Sequence, residues 1–216
     1  MSLTIDFHCH TSASKDSLAS LPELIRACHR RGVDRLVITD HNTIDTGQIA
    51  HSLHPELVII GEEIMTTRGE ILAAFATQNV PPGLFPQETI KRLRDQGAFI
   101  SVSHPFDKWR KGAWILQDLL EITLAVDAVE IFNSRCLFPG SNRLAKDFAS
   151  LHKLPGTAGS DAHAAFEVGT ATLTLPDFND PEELRKVISQ GIVRGRASPF
   201  WVHFISRYAH LYKKGV

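Results

Sequence analysis

Short apolar or alternating runs bounded by turn residues recur along the chain at 3–9, 34–40, 56–64, 70–76, 98–104, 127–132 and 155–160, and each reads as a β-strand. Between several of them apolar side chains return at helical spacing. These are Leu21, Leu24, Ile25 and Cys28, then Ile90 and Leu93, then Leu116, Leu119 and Leu120, then Leu144, Phe148 and Leu151, and finally Leu184, Val187 and Ile188. Pro22 near the start of the first helix, Gly32 after it, Gly97 after the second and Pro181 opening the last are start and stop signals in the expected places. Strand alternating with helix predicts parallel strands joined by crossover helices. Six or seven such units fit a small or distorted barrel or an open doubly wound sheet, and alternation does not choose between them. PPGLFP at 81–86 reads as a local loop, and with no repeat or linker the chain reads as one domain over 1–216. The aromatic-rich amphipathic segment 198–214 reads as a final packing helix or as a contact in a homo-oligomer.

Composition narrows the classes. At 216 residues and 43% hydrophobic content the chain can bury a full core. Its 23 Lys and Arg against 24 Asp and Glu leave a net charge of -1, which weighs against long nucleic acid or an acidic membrane as partner. Cys9, Cys28 and Cys136 are odd in number and far apart, which argues against a disulfide framework and fits a reducing cytoplasm. No basic-then-apolar leader opens the sequence, and no apolar run approaches the roughly 18 residues of a membrane span. The chain therefore reads as neither secreted nor membrane-embedded. The 11 histidines are many for this length, and their placement carries the chemistry.

The first strand ends in Asp6-Phe7-His8-Cys9-His10, and side chains at i, i+2 and i+4 of a strand share a face, so Asp6, His8 and His10 are expected to point together. The second strand ends in Thr39-Asp40-His41 and the third in Gly61-Glu62-Glu63-Ile64, where parity alone does not choose between the two acids. Ser103-His104-Pro105 closes another apolar strand, and Gly159-Ser160-Asp161-Ala162-His163 again sets a carboxylate and an imidazole two residues apart, on backbone that small residues let approach closely. Ligand-type groups collected beyond strand ends would repel one another unless cations hold them. One catalytic zinc needs about three protein ligands; eight or more candidates point to two or three divalent ions.

These motifs, DFHCHTSASKDS at 6–17, TDHNT at 39–43, SHP at 103–105 and GSDAH at 159–163, with GEEI and VEIFNSR between them, resemble in identity and order those of the PHP superfamily, named for polymerase-associated and histidinol-phosphatase domains. The resemblance covers nearly the whole chain. It implies a distorted seven-stranded (β/α) barrel, TIM-like, with a two- or three-metal site at the carboxyl ends of the strands. Carried over by position, the ligands it implies are His8, His10, Asp16, His41, Glu63, His104, Asp161 and His163. Glu70 stands where many relatives carry a histidine; an added oxygen ligand tilts preference toward manganese or iron, while imidazoles still suit zinc. If Glu70 does not ligate, the site holds two ions. Only one strand–loop–helix–strand step separates Glu70 from His104, leaving no room for the inserted domain of some relatives.

Such a site implies hydrolysis of a phosphate ester on a small metabolite or nucleotide, with cleavage of phosphodiesters and a catalytically silent metal-stabilised module as alternatives. Arg135, just past the strand at 127–132, is the leading phosphate ligand because a guanidinium fork matches phosphate, and Asn133 in the same loop is a candidate donor. Lys108 and Arg110 in FDKWRKG are weaker candidates. Trp109 and Trp114 beside them read as packing more often than as platforms for a nucleobase.

Overall fold

The computed structural model describes residues 2–215. Among them lie nine strands, β1 (Ser2–Cys9), β2 (Arg35–Ile38), β3 (Val58–Met65), β4 (Glu70–Ala74), β5 (Phe99–Val102), β6 (Ala128–Asn133), β7 (Gly156–Gly159), β8 (Ala171–Pro176) and β9 (Ile192–Gly195). The helices are α1 (Leu21–Arg31), α2 (Asp45–Leu53), α3 (Pro86–Asp95), α4 (Leu116–Ile122), α5 (Pro139–Leu151), α6 (Pro181–Val187) and α7 (Val202–Lys213). α1 illustrates how local sequence sets these elements. Ser20 and Glu23 form a capping box at its start, Gly32 ends it at φ 65°, and its apolar stripe buries Leu24, Ile25 and Cys28. No helix among the described residues is long and apolar enough to cross a membrane.

The strands form one sheet in the order β7-β6-β5-β4-β3-β2-β1-β8-β9, curled into a nearly closed barrel. The expected all-parallel alternation is wrong at three strands. β4 pairs antiparallel with both β3 and β5 because only four residues, Thr66 to Gly69, separate it from β3. The Thr66 hydroxyl donates to Gly69 O and accepts from the amides of Arg68 and Gly69, so this is a hairpin, which forces antiparallel pairing. β8 and β9 are further strands that the periodicity reading missed, as it missed α2; both strands pair antiparallel.

The seam of the barrel is shared. β8 pairs with Ser2 to Ile5, the first half of β1. Beyond that point the same edge of β1 is taken by the chain leaving β7: Asp161 N donates to His8 O at 2.7 Å and His10 N donates to Ala162 O at 2.8 Å. The barrel thus closes at the carboxyl end of β1, drawing GSDAH against DFHCH. Gly159 permits this approach, since a Cβ there would overlap the His8 side chain.

Candidate metal centre

The polar groups gather at one end of the barrel, past the carboxyl ends of β1, β2, β3, β5 and β7. Glu70 joins them from the start of β4, because the reversed strand brings its amino end to the rim where its neighbours finish. Glu63 Oε2 is the focus. His8 Nε2 stands 3.3 Å from it, His10 Nε2 3.3 Å and His41 Nδ1 3.1 Å. On the other side of the two strand imidazoles lies Asp161 Oδ1, 3.5 Å from His8 Nε2 and 3.3 Å from His10 Nε2. His104 Nε2 lies 3.1 Å from Glu63 Oε1 and 3.5 Å from Glu70 Oε2. Asp16 Oδ1 sits 3.4 Å from His41 Nε2 and 3.5 Å from His163 Nε2.

These donors fit divalent cations. Bonds of about 2.0–2.2 Å at tetrahedral angles set neighbouring ligand atoms about 3.4 Å apart, and the measured separations match. Glu63 Oε2, Asp161 Oδ1 and Asp16 Oδ1 are buried without a hydrogen-bond partner, although buried polar atoms normally have one. Three overlapping groups have the reach to hold an ion: His10 with His41 and His163; His8 with His10 and Glu63; His41 with Glu63 and Glu70.

Behind the cage, most imidazoles are held by their remaining nitrogen. His8 Nδ1 lies 3.0 Å from Glu130 Oε1, His10 Nδ1 3.0 Å from Ser14 Oγ, and His163 Nδ1 2.8 Å from Asp161 O. The Ser14 hydroxyl is fixed in turn by donating to Asp40 at 2.6 Å. Such partners set ring orientation and tautomer. Electrostatics follow the same layout. Burial works to neutralise His8, but the carboxylates of Asp161, Glu63 and Glu130 outweigh it and hold its pKa well above the ordinary value. For His163, burial and then Arg135 push the pKa down to about 3, leaving the neutral ring that ligation requires. Burial, followed by the neighbouring charge of Glu63, raises that of Glu70.

Two expectations about the strand ends need correction or completion. Asp6 does not point with His8 and His10. Its Oδ1 accepts from Ser160 N at 2.8 Å and its Oδ2 from Gly169 N at 2.9 Å, so it ties the seam together from below. The β1–β2 register slips between Asp6 and Cys9, which breaks the simple i, i+2, i+4 rule there. The choice between the two acids of β3 falls to Glu63, while Glu62 accepts from Val80 N on the opposite side of the strand. Glu130 was not singled out from sequence, since one acid in an apolar alternating strand looks like an ordinary exposed position.

The cationic candidates separate. A cavity of about 240 Å³ opens over the cage, lined by Asp16, His41, Glu70 and His163 together with Arg110 and Arg135. Arg110 reaches furthest in: one Nη lies 2.6 Å from Asp161 Oδ2 and its Nε 3.2 Å from Asp107. Lys108 is exposed and outside that lining. The Arg135 guanidinium lines the wall but is largely engaged, donating to Val202 O at 2.8 Å and Ser206 Oγ at 2.9 Å with its Nε 3.2 Å from Glu167. The Asn133 amide donates to Glu130 and Asp161, behind the carboxylates. Trp114 is buried, its indole donating to Glu70 O at 3.1 Å, whereas Trp109 is 69% exposed against Phe138.

Comparison with known proteins agrees with this layout. Residues 6–92 match the model of the PHP domain and residues 139–193 that of the PHP-associated family. Uncharacterized protein MJ0417 of Methanocaldococcus jannaschii is 34% identical over 187 residues, 84% of this chain and 75% of that one. The chain belongs to the PHP family. Among solved structures, a two-domain protein of Bacteroides vulgatus containing a predicted PHP-like metal-dependent phosphoesterase superposes with a TM-score of 0.71 at 17% identity, over 91% of this chain and 65% of that one. The lesion-specific endonuclease EndoQ of Pyrococcus furiosus superposes with a TM-score of 0.68 at 16% identity, over 89% of this chain and 58% of that one. This chain therefore spans about two thirds or less of these two structures.

Proposed function

We propose that the protein is a cytoplasmic metal-dependent phosphatase that releases phosphate from a small phosphomonoester, a metabolite or a nucleotide. The observation that carries this reading is Glu63 Oε2, a buried carboxylate oxygen without a hydrogen bond, faced by nitrogens of three imidazoles gathered at the carboxyl ends of β1 and β2. His8, His10, Asp16, His41, Glu63, Glu70, His104, Asp161 and His163 would hold two or three ions of manganese, iron or zinc. Such ions supply Lewis acidity, acidifying water and drawing charge from a phosphoryl group. The chain's own residues do the rest. Glu130 and Ser14 fix the His8 and His10 rings, and Arg110, already aimed into the cavity, meets the phosphoryl oxygens as charge develops on them. Arg135 supports that charge from the wall, with Asn133 keeping Asp161 in place. Lys108 would serve only a substrate that reaches the outer loop.

The test is a phosphate-release screen of monoesters, run with manganese, iron and zinc separately alongside elemental analysis of the purified protein. Release of inorganic phosphate that depends on metal supports the proposal. No release from any ester with any of the three metals would leave a silent metal-stabilised module as the better account.

Cleavage of phosphodiesters is the second reading, and one feature favours it. Beside the cavity, α7 exposes Phe204, Tyr208 and Tyr212 on its outer face, and its charged side chains are all basic. Stacking aromatics with cations suit a single strand. Mononucleotides appearing as products in place of inorganic phosphate would establish this alternative.

A further inference from the structure

We propose that a second cavity, across the Arg135–Glu167 pair from the candidate metal centre, binds an anion bearing an aromatic ring, the chemistry of a mononucleotide. It measures about 270 Å³, and its lining includes Arg31 from the last turn of α1, Phe166 and Thr170 from the loop before β8, and Arg196, Ser198 and Trp201 from the segment joining β9 to α7. Glu167 lines it too.

The sign of the charge is decided by who is already paired. Glu167 is committed to the wall: Oε1 accepts from His163 N at 3.2 Å, and Oε2 stands 3.2 Å from Arg135 Nε. Arg31 and Arg196, by contrast, have no carboxylate within 4.0 Å among the described residues; Arg31 donates only to Phe166 O, at 3.3 Å. Two guanidiniums with open forks on one cavity favour a phosphate or carboxylate group. Ser198 Oγ, buried and without a hydrogen-bond partner, is a further free polar group there.

The rings supply the other half of the recognition. Phe166 and Trp201 lie with centroids 5.4 Å apart at 34°, and are 44% and 50% exposed, so a face remains for a planar group. The walls are anchored: Arg196 N donates to Thr170 O at 2.9 Å and Ser198 N to Ser134 O at 2.7 Å. At about 270 Å³ the volume falls just under the roughly 300 Å³ at which ligand pockets begin, which limits the occupant to one ring system and its anionic group. Because the Arg135–Glu167 pair forms the partition, occupancy here bears on a residue of the first cavity.

The experiment titrates AMP, adenosine and inorganic phosphate into the protein, following tryptophan fluorescence and heat, and repeats this on Arg31→Gln/Arg196→Gln and on His8→Ala. The glutamines keep the stems and remove the charge at exposed positions. AMP should bind at least tenfold more tightly than either adenosine or phosphate, lose at least tenfold affinity in the double variant and keep its affinity in His8→Ala. Loss in His8→Ala with retention in the double variant would place AMP in the candidate metal centre and overturn the proposal. Equal affinity for phosphate and AMP, or no AMP binding at millimolar concentration, overturns it as well. Trp201→Phe, which should abolish most of the fluorescence response without abolishing the heat, locates the ligand should the double variant fold poorly. None of these readouts needs turnover, so they stand or fall apart from the phosphatase reading.

Discussion

In the cage at the barrel end, every candidate ligand but Asp16 stands on a strand or within four residues of one, and the rings of His8, His10 and His163 are held from behind by Glu130, Ser14 and the Asp161 carbonyl. Above it, the cations of the rim stand on loops, and Arg135 depends on α7 for two of its contacts. The cage is fixed by sheet geometry, so its shape is independent of what the substrate is. Loop conformation sets the rim, which is where substrate selection has room to vary. The difference predicts that damage to the cage removes the chemistry as a whole, whereas damage to the rim is graded by distance from Asp161.

The largest effect belongs to His8. Like His10 it faces Glu63 and Asp161 together, and it alone of the two is also backed by a carboxylate, Glu130. In His8→Ala, metal-dependent phosphate release should fall by more than about 100-fold, beyond the range expected for losing an orienting group alone, and metal content by elemental analysis should fall with it. Activity within tenfold of the parent at full metal content would break the distinction between cage and rim.

Arg110 comes next and bears directly on the rim. It is the cation nearest the cage, and removing a preorganised charge of this kind costs about 100- to 1000-fold in rate. Arg110→Ala should lower kcat/KM by that order while leaving metal content intact. Arg110→Lys, which keeps charge but loses the fork, should recover only part of it. Metal loss in Arg110→Ala would instead assign Arg110 to holding Asp161 in place.

The two regions also differ in how far they were legible in the sequence. Strand parity exposed His8 and His10, and the strand ends at TDH, SHP and GSDAH marked His41, His104, Asp161 and His163, because the end of a strand in such a sheet has a known location, whereas Asp16, and the choice of Glu63 over Glu62, came from the resemblance. Glu70 was legible only through resemblance: its approach depends on the Thr66–Gly69 hairpin, whose turn chemistry an alternation count ignores. Asp6 was misplaced because a register slip is invisible to parity. β8, β9 and α2 were missed; α2 buries only Gly47 and Ala50, too thin a stripe for periodicity to find. In the loop after SHP no periodicity ranks Lys108 against Arg110, and only folded geometry does.

Glu130 tests the cage from behind. It receives His8 Nδ1 and the His104 amide at once, so Glu130→Gln keeps the shape and removes the charge that supports the imidazole. Metal affinity or activity should drop by about 10- to 100-fold, less than for His8→Ala. A loss as large as that of His8→Ala would mean that orientation and ligation are not separable in this cage.

The smallest expected effect falls on the outer rim. Lys108 is exposed and stands two residues from Arg110, yet it lies outside the cavity that Arg110 enters. Surface substitutions away from such features stay within about 0.5 kcal/mol, so Lys108→Ala should change kcat/KM on a small monoester by no more than about twofold. Longer substrates would sharpen the contrast. If the substitution is silent on a monoester but lowers turnover of an oligonucleotide several-fold, the rim extends past the cavity, and the gradient in the cationic loop then measures how far the natural substrate reaches from the cleaved bond.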